Sequence, residues 1–188
     1  MSDATTFEAA RHARHRETTA VLGMTLFIAS WAMLFAALFF AYGFTRARAI
    51  AWPPLDLPRL PRALPALASV FIVGASLALT SGRRARHQRP RLLLAIAGSC
   101  GFLALQITMG VSLYRAGLRP DGGPYASVFY GLTGFHALHV FVGICGLTGL
   151  IVRTGNAERA RTRRRLWTLY AHMVTVLWLL LYLGVYCL

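Results

Sequence analysis

The chain alternates between long apolar segments and short polar connectors. Five segments of twenty or more residues contain no Asp, Glu, Lys or Arg, and every charged residue lies outside them. A helix needs about 20 apolar residues to cross a bilayer, so each segment predicts a transmembrane helix. The predicted spans cover about residues 18–44, 63–82, 92–114, 125–152 and 166–188. We therefore predict an all-α fold, a single five-helix membrane bundle over residues 18–188 that follows an N-terminal arm of residues 1–17.

Proline and glycine mark two of the connectors. Proline lacks the backbone N–H and restricts its predecessor, so a dense group of prolines is incompatible with a helix. The first connector contains such a group: Pro53, Pro54, Pro58, Pro61 and Pro65. The third connector reads PDGG followed by Pro124 and predicts a tight turn. No internal repeat divides the chain, which favours one domain.

Composition supports a membrane protein over the other classes. Hydrophobic residues make up 56% of the chain and charged residues 14%, whereas soluble domains are about 25% charged. Disorder, a collagen-like fibre and a disulfide-stapled secreted module are excluded. Cys100, Cys145 and Cys187 lie in three different spans without a CxxC pair, and we interpret them as small hydrophobic side chains rather than metal ligands.

The charge pattern predicts the orientation. All 20 basic residues are arginine and the net charge is +14, but they lie in separate connectors, so we do not predict a nucleic-acid surface. Fourteen of them lie in the arm and in the second and fourth connectors, against six in the first and third. Basic connectors stay on the cytoplasmic side. We therefore predict a cytoplasmic N-terminus and a periplasmic C-terminus, with arginines that attract anionic phospholipids.

Span four carries a polar stripe. His136, His139, Gly143 and Gly146 recur at i, i+3, i+7 and i+10 and therefore share one helix face. Glycines allow a second helix to approach closely, and a histidine inside the membrane is costly unless it faces protein. The stripe thus predicts interhelical packing and hydrogen bonding. Gln106 in span three and His172 in span five are the candidate partner side chains.

A metal or haem site is the competing interpretation of these histidines, because imidazole is a good ligand. At 1.5 Å per residue, however, His172 lies roughly 8–12 Å in depth from His136 and His139, too far for one site with bonds of about 2 Å. No span contains Asp or Glu that could extend a proton relay, and HExxH, GxSxG and P-loop motifs are missing. We predict no catalytic, cofactor-binding or metal-binding residue in this chain.

Four stretches resemble the haem–copper oxidase subunit III family in sequence and in order. Residues 125–143, YASVFYGLTGFHALHVFVG, resemble the family pattern Y-x-S-x-F-F-x-L-T-G-x-H-G-x-H-V-x-x-G. Residues 22–30, the Trp52-Pro53-Pro54 triplet and residues 170–178 resemble its entry helix, its external loop and its last helix. Gln106 matches a glutamine of the family. The resemblance extends over about residues 20–188.

The chain departs from the family pattern at charged positions. Trp31 stands where the family has Glu, and Thr175 stands where it has Asp. The family's Glu-Tyr pair after Gln106 is missing, and His87 is displaced from the usual Ala-His pair. We expect a divergent member to which a carboxylate-dependent proton role does not transfer.

The resemblance implies a non-redox subunit of a respiratory terminal oxidase that reduces O₂ and translocates protons. It would support the assembly, stability and proton uptake of catalytic subunit I, beside subunit II, in a bacterial inner membrane. Short bacterial members lack the first two of seven helices, which leaves five. Haem and copper would lie in the partner subunits and none in this chain, and a structural phospholipid is compatible with the fold. Two alternatives stay open: an accessory subunit of a nitric oxide reductase or quinol oxidase, and a stand-alone quinone- or haem-binding carrier.

The N-terminal arm offers one further hypothesis. Glu8, His12, His15 and Glu17 could collect protons on the cytoplasmic side, because histidine titrates near neutral pH. The alternative is that the arm is a solvated segment that only sets the orientation.

Overall fold

The computed structural model is an all-helical bundle. It describes residues 2–52, 54, 57, 58, 60–80, 88–152 and 157–187, with side chains omitted at residues 2–10, 12–14, 16, 17 and 157–159. Over these residues, five α-helices follow one another: α1 (Ser2–Arg48), α2 (Ala63–Thr80), α3 (Gln88–Arg115), α4 (Pro124–Val152) and α5 (Ala157–Leu181). A C-terminal π-helix, Tyr182–Cys187, continues α5.

Each of the five helices is long and apolar enough to cross a membrane. This confirms the five predicted spans. The helix ends lie within a few residues of the predicted span ends, with two exceptions: α1 begins at Ser2 and includes the whole arm, and α5 begins at Ala157, nine residues before the predicted span. The arm is thus a direct extension of the first span. Its sixteen residues before Thr18 add about 24 Å of helix at 1.5 Å per residue.

The two loops predicted from proline and glycine are found, with one difference. Pro65 lies inside the first turn of α2, not in the loop, because a missing N–H costs nothing where the helix has no acceptor for it. The third connector turns through Gly117 and Gly123, whose φ angles are 99° and 121°. Those values lie in the region that favours glycine.

The turn is held to the N-terminal end of α4 by two hydroxyl groups. Tyr130 Oη donates to the carbonyl of Leu118 at 2.8 Å and contacts that of Gly110 at 3.2 Å. Ser127 Oγ donates to the carbonyl of Pro120 at 2.7 Å. Leu118 is fully buried. The turn therefore fixes α3 and α4 as an antiparallel pair at this end.

Helices α4 and α5 each pack against three other helices: α4 against α1, α3 and α5, and α5 against α1, α2 and α4. Helix α2 also packs against α3. The core consists of apolar and aromatic side chains from all five helices and the π-helix: Phe35, Ile72, Phe102, Phe129, Leu132, Trp178 and Tyr186 are among its buried members. Helix α1 contributes little to it, because Phe35 and Tyr42 are the two side chains buried in its described part. A polar side chain at the centre of the bundle is therefore surrounded by other side chains of the protein.

Candidate functional site: the histidine and aromatic core

His136 occupies the middle of the core. Its side chain is 0% exposed and lies among aromatic rings from three other helices. The ring centroids are 6.3 Å from Phe35 on α1, 5.5 Å from Phe102 on α3 and 5.3 Å from Trp178 on α5. Neither ring nitrogen has a hydrogen-bond partner among the described residues. The contacts of this imidazole are thus ring contacts.

His139 lies one turn further along the same stripe. Its Nδ1 bonds to the carbonyl of Phe135 in its own helix, and its ring meets Trp31 edge-on at a centroid distance of 3.8 Å. Nε2 has no partner in the described part of the chain. Trp31, which stands at the family's Glu position, thus places an aromatic ring against His139.

His172 is held in a different part of the bundle. Its Nδ1 is 2.5 Å from Ser76 Oγ, which joins α5 to α2. A second such link lies on the same two helices, because Trp178 Nε1 donates to Ser69 Oγ at 2.9 Å. Ser69 and Ser76 are seven residues apart and so share one face of α2. Of the three histidines, His172 is the one whose side chain makes an interhelical hydrogen bond in the described structure.

The two glycines of the stripe receive aromatic rings from α5. A Cβ built on Gly143 would lie 3.3 Å from Cε1 of Tyr170, and a Cβ on Gly146 would overlap the indole of Trp167. Tyr170 is fully buried, and its hydroxyl donates to the carbonyl of His139 at 3.0 Å. The absence of side chains at these positions is therefore what lets α5 approach α4.

Gln106 lies on the buried face of α3, one turn from Phe102. Its side chain is 7% exposed and its Nε2 has no partner among the described residues. Gln106, His136 and His139 thus form a set of buried polar groups without the hydrogen bonds that the sequence led us to expect. Each unsatisfied buried amide or imidazole nitrogen costs stability. The interhelical hydrogen-bonding roles predicted for Gln106, His136 and His139 stay predictions.

No group of three His, Cys, Asp or Glu side chains in the described residues is arranged to hold a metal ion. Cys100, Cys145 and Cys187 are exposed on the bundle surface as free thiols. The prediction that this chain carries no haem or metal stays a prediction, tested below.

The arm lies partly outside the described side chains. Glu8, His12 and Glu17 belong to helix α1, but their side chains are not among those described. His15 is exposed, and its Nδ1 is 3.4 Å from Thr19 Oγ1. His87 lies outside the described residues. The arm therefore gives no geometry for or against proton collection.

Three contributors to the core were not among the predicted site residues. Trp167, Tyr170 and Trp178 on α5 supply the rings that surround the α4 stripe. The sequence contained a signal for Trp178, because Ser69 and Ser76 lie on one face of α2. In the structure, Trp178 bonds to Ser69 and His172 bonds to Ser76. The pairing itself depends on which helices become neighbours, and periodicity does not specify that.

Comparison with known proteins bears directly on the resemblance. The family model described as cytochrome c oxidase subunit III matches residues 1–188. The chain is similar to cytochrome c oxidase subunit 3 of Thermostichus vulcanus, at 30% identity over 94% of this chain and 91% of that protein. It is also 30% identical to the subunits 3 of Synechocystis sp., over 89% of this chain and 75% of the relative, and of Dasypus novemcinctus, over 87% and 67%.

The match to the family model extends over the whole bundle, including the HxxH stripe of α4. The matches confirm the resemblance that the four sequence stretches indicated. The chain belongs to the cytochrome c oxidase subunit III family, whose members are subunits III of haem–copper oxidases.

Proposed function

We propose that this chain is a non-catalytic subunit that packs beside subunits I and II of an oxidase and stabilises that complex. The observation that carries the proposal is what surrounds the histidines in the core. Three histidines lie inside the bundle, and they are enclosed by aromatic rings and by helix-to-helix contacts: His136, His139 and His172. An interior filled in this way leaves the redox centres to the partner subunits.

We also propose that the chain lies in a bacterial inner membrane with its N-terminus in the cytoplasm. The first residues of α1, the facing ends of α2 and α3, and the facing ends of α4 and α5 lie at one end of an alternating bundle, and fourteen of the 20 arginines belong in sequence to these helix ends and the segments that join them. Positive connectors remain on the cytoplasmic side. The tight turn at Gly123 and the loop after α1 then lie on the periplasmic side.

A phospholipid is a suitable occupant of one lateral groove. A groove of about 360 Å³ between α4 and α5 is lined by Phe141, Cys145, Gly149, Arg163 and Trp167, among others. The guanidinium group lies at the arginine-rich end, while the remaining lining is apolar. An anionic headgroup near Arg163 and an acyl chain along α4 would satisfy both parts.

The experiment that tests the function is affinity purification of the tagged full chain from its native membrane in mild detergent. We expect a haem-containing catalytic subunit to accompany it, and we expect that complex to be less stable when the chain is deleted. The separated chain should show no Soret band and no stoichiometric metal. A Soret band that stays with the separated chain and disappears in His136→Ala would contradict the proposal and favour a haem-binding carrier.

A further inference from the structure

A small cavity lies where α2, α3, α4 and α5 meet. Its volume is about 20 Å³, by the measure in which a single water needs about 10–15 Å³. Its polar lining includes Ser76, Ser99 and Thr175, which come from three different helices, together with His139 and with Tyr170, whose hydroxyl donates to the carbonyl of His139. Apolar side chains such as Ile72, Leu147 and Val174 complete its walls. The space therefore suits one water molecule and nothing much larger.

The three hydroxyl groups are shielded from solvent. Ser76, Ser99 and Thr175 are 9%, 7% and 6% exposed, respectively. Inside a membrane bundle, a hydroxyl that meets only apolar neighbours loses the hydrogen bonds that water would give it. Ser76 and Thr175 each make one hydrogen bond elsewhere, so what faces the cavity is their remaining hydrogen-bonding capacity and the hydroxyl of Ser99.

After the hydrogen bonds that they already make, these hydroxyl groups can still accept further hydrogen bonds. Thr175 Oγ1 donates its proton to the carbonyl of Ala171 at 2.9 Å, so its lone pairs remain available to accept a hydrogen bond. Ser76 Oγ is paired with His172 Nδ1. A hydroxyl has one donor and two lone pairs, and a water brings two donors and two acceptors. A water can therefore donate to Thr175 and Ser76 while it accepts from Ser99.

We propose that this cavity holds one ordered water that links Ser76, Ser99 and Thr175 and thereby ties α2, α3 and α5 together. Buried waters typically make about three hydrogen bonds, and the site offers three partners. The water would also connect to the Ser76–His172 pair, which makes that pair part of a four-member polar group. The inference concerns this bundle alone and does not depend on the oxidase partners.

The first test is a cryo-EM map of the full chain in its membrane complex, at a resolution that shows ordered waters. We expect one density peak within hydrogen-bonding distance of Ser99 Oγ and Thr175 Oγ1. The peak should disappear in Thr175→Val, which keeps the shape of the side chain and removes the hydroxyl. It should remain in Thr108→Val, a matched control on the exposed face of α3 whose hydroxyl donates to its own helix in the same way. An empty cavity in the wild-type map would overturn the proposal.

The second test measures thermal unfolding of the same variants. Thr175→Val should lower Tm by about 2–4 °C relative to Thr108→Val, because the remaining hydroxyls lose their shared partner. The double variant Ser99→Ala/Thr175→Val should lose no more than the larger single loss, since one water is lost only once. A Thr175→Val protein as stable as the control, or fully additive losses in the double variant, would show that the cavity is dry.

Discussion

The apolar spans of α1 and α4 have similar hydropathy but pack differently in the bundle. Both are long apolar helices that qualify as membrane spans, but 6% of the residues in the most apolar window of α1 are buried in the bundle, against 33% in α4. Helix α4 has neighbours on three sides, while α1 contacts the bundle along a narrow strip around Phe35 and Tyr42. Apolarity therefore predicts that a helix crosses the membrane, and it does not predict how many helices surround it.

The difference lies in which side chains sit at the contacts. Helix α4 offers glycines to the rings of α5 and an imidazole to the rings of α1, α3 and α5. The exposed face of α1 carries large apolar side chains such as Met33 and Phe40. Lipid tails are as apolar as such side chains, so association inside a membrane comes from close packing and hydrogen bonds. The following predictions test whether the α4 contacts carry the stability of the bundle.

The largest effect is expected at Trp178. Its ring is fully buried, lies 4.7 Å from that of Phe102, and its Nε1 bonds to Ser69. Trp178→Ala should destabilise the bundle by about 3–5 kcal/mol, the range for deletion of a large buried ring. Thermal unfolding of the purified full chain measures this. Phe40→Ala on α1, where the side chain is 75% exposed, is the control and should stay within about 0.5 kcal/mol of wild type. Equal losses would mean that burial in the bundle does not distinguish the helices.

The second prediction concerns the approach of α5 to α4. Gly146→Ala places a methyl group where the Trp167 indole lies and should cost about 1–3 kcal/mol, the usual range for overpacking. Gly149→Ala, one turn further along the same helix, meets nothing within 4 Å and should be close to neutral. Recovery of the assembled complex after purification and its Tm are the measurements. If both variants assembled equally well, Trp167 would have to move at no cost, and close packing here would not matter.

The third prediction concerns the hydrogen bond between α2 and α5. Ser76→Ala removes the partner of His172 Nδ1 and should cost about 0.6–1.7 kcal/mol, the range measured for hydrogen bonds between membrane helices. Ser30→Ala on α1 removes a hydroxyl that bonds only to the carbonyl of Leu26 on its own helix. That control should change the unfolding midpoint much less. A Ser76→Ala protein indistinguishable from Ser30→Ala would indicate that the polar link contributes nothing to stability.

Much of the fold follows from the sequence, because the bilayer makes length and apolarity decisive. The five spans, the proline-rich loop and the turn at Gly123 were predicted from charge-free segments and breaker residues alone. Helical periodicity also places His136 and Gly143 of α4 on one side of the helix. Both are buried in the structure.

The partners across the interface could not be predicted in the same way. We expected the α4 histidines to hydrogen-bond to Gln106 or His172. In the described residues, His136 is instead surrounded by rings, and His172 bonds to Ser76. Pairing depends on the rotation and depth of each helix against its neighbour, which a single sequence does not encode locally. The substitution of Trp31 for a family carboxylate is an example, because its contact with His139 is visible only once α1 is placed.

The smallest effect is expected in the arm, the part of α1 that extends beyond the membrane. If the arm collects protons, the double variant His12→Gln/His15→Gln should slow turnover of the assembled oxidase modestly at high pH, because free protons are scarcest there and proton delivery then limits turnover most. The effect should be small, because water also delivers protons and His15 is exposed on a helix that leaves the bundle. Arg11→Gln is the matched control, since it removes a charge from the same exposed helix without removing an imidazole. Turnover measured across pH 6–9, with assembly verified for each variant, separates the two roles. If the double variant matches wild type throughout, or loses as much turnover as Arg11→Gln, the arm of α1 has a function in orientation alone. That outcome would widen the contrast between α1 and α4.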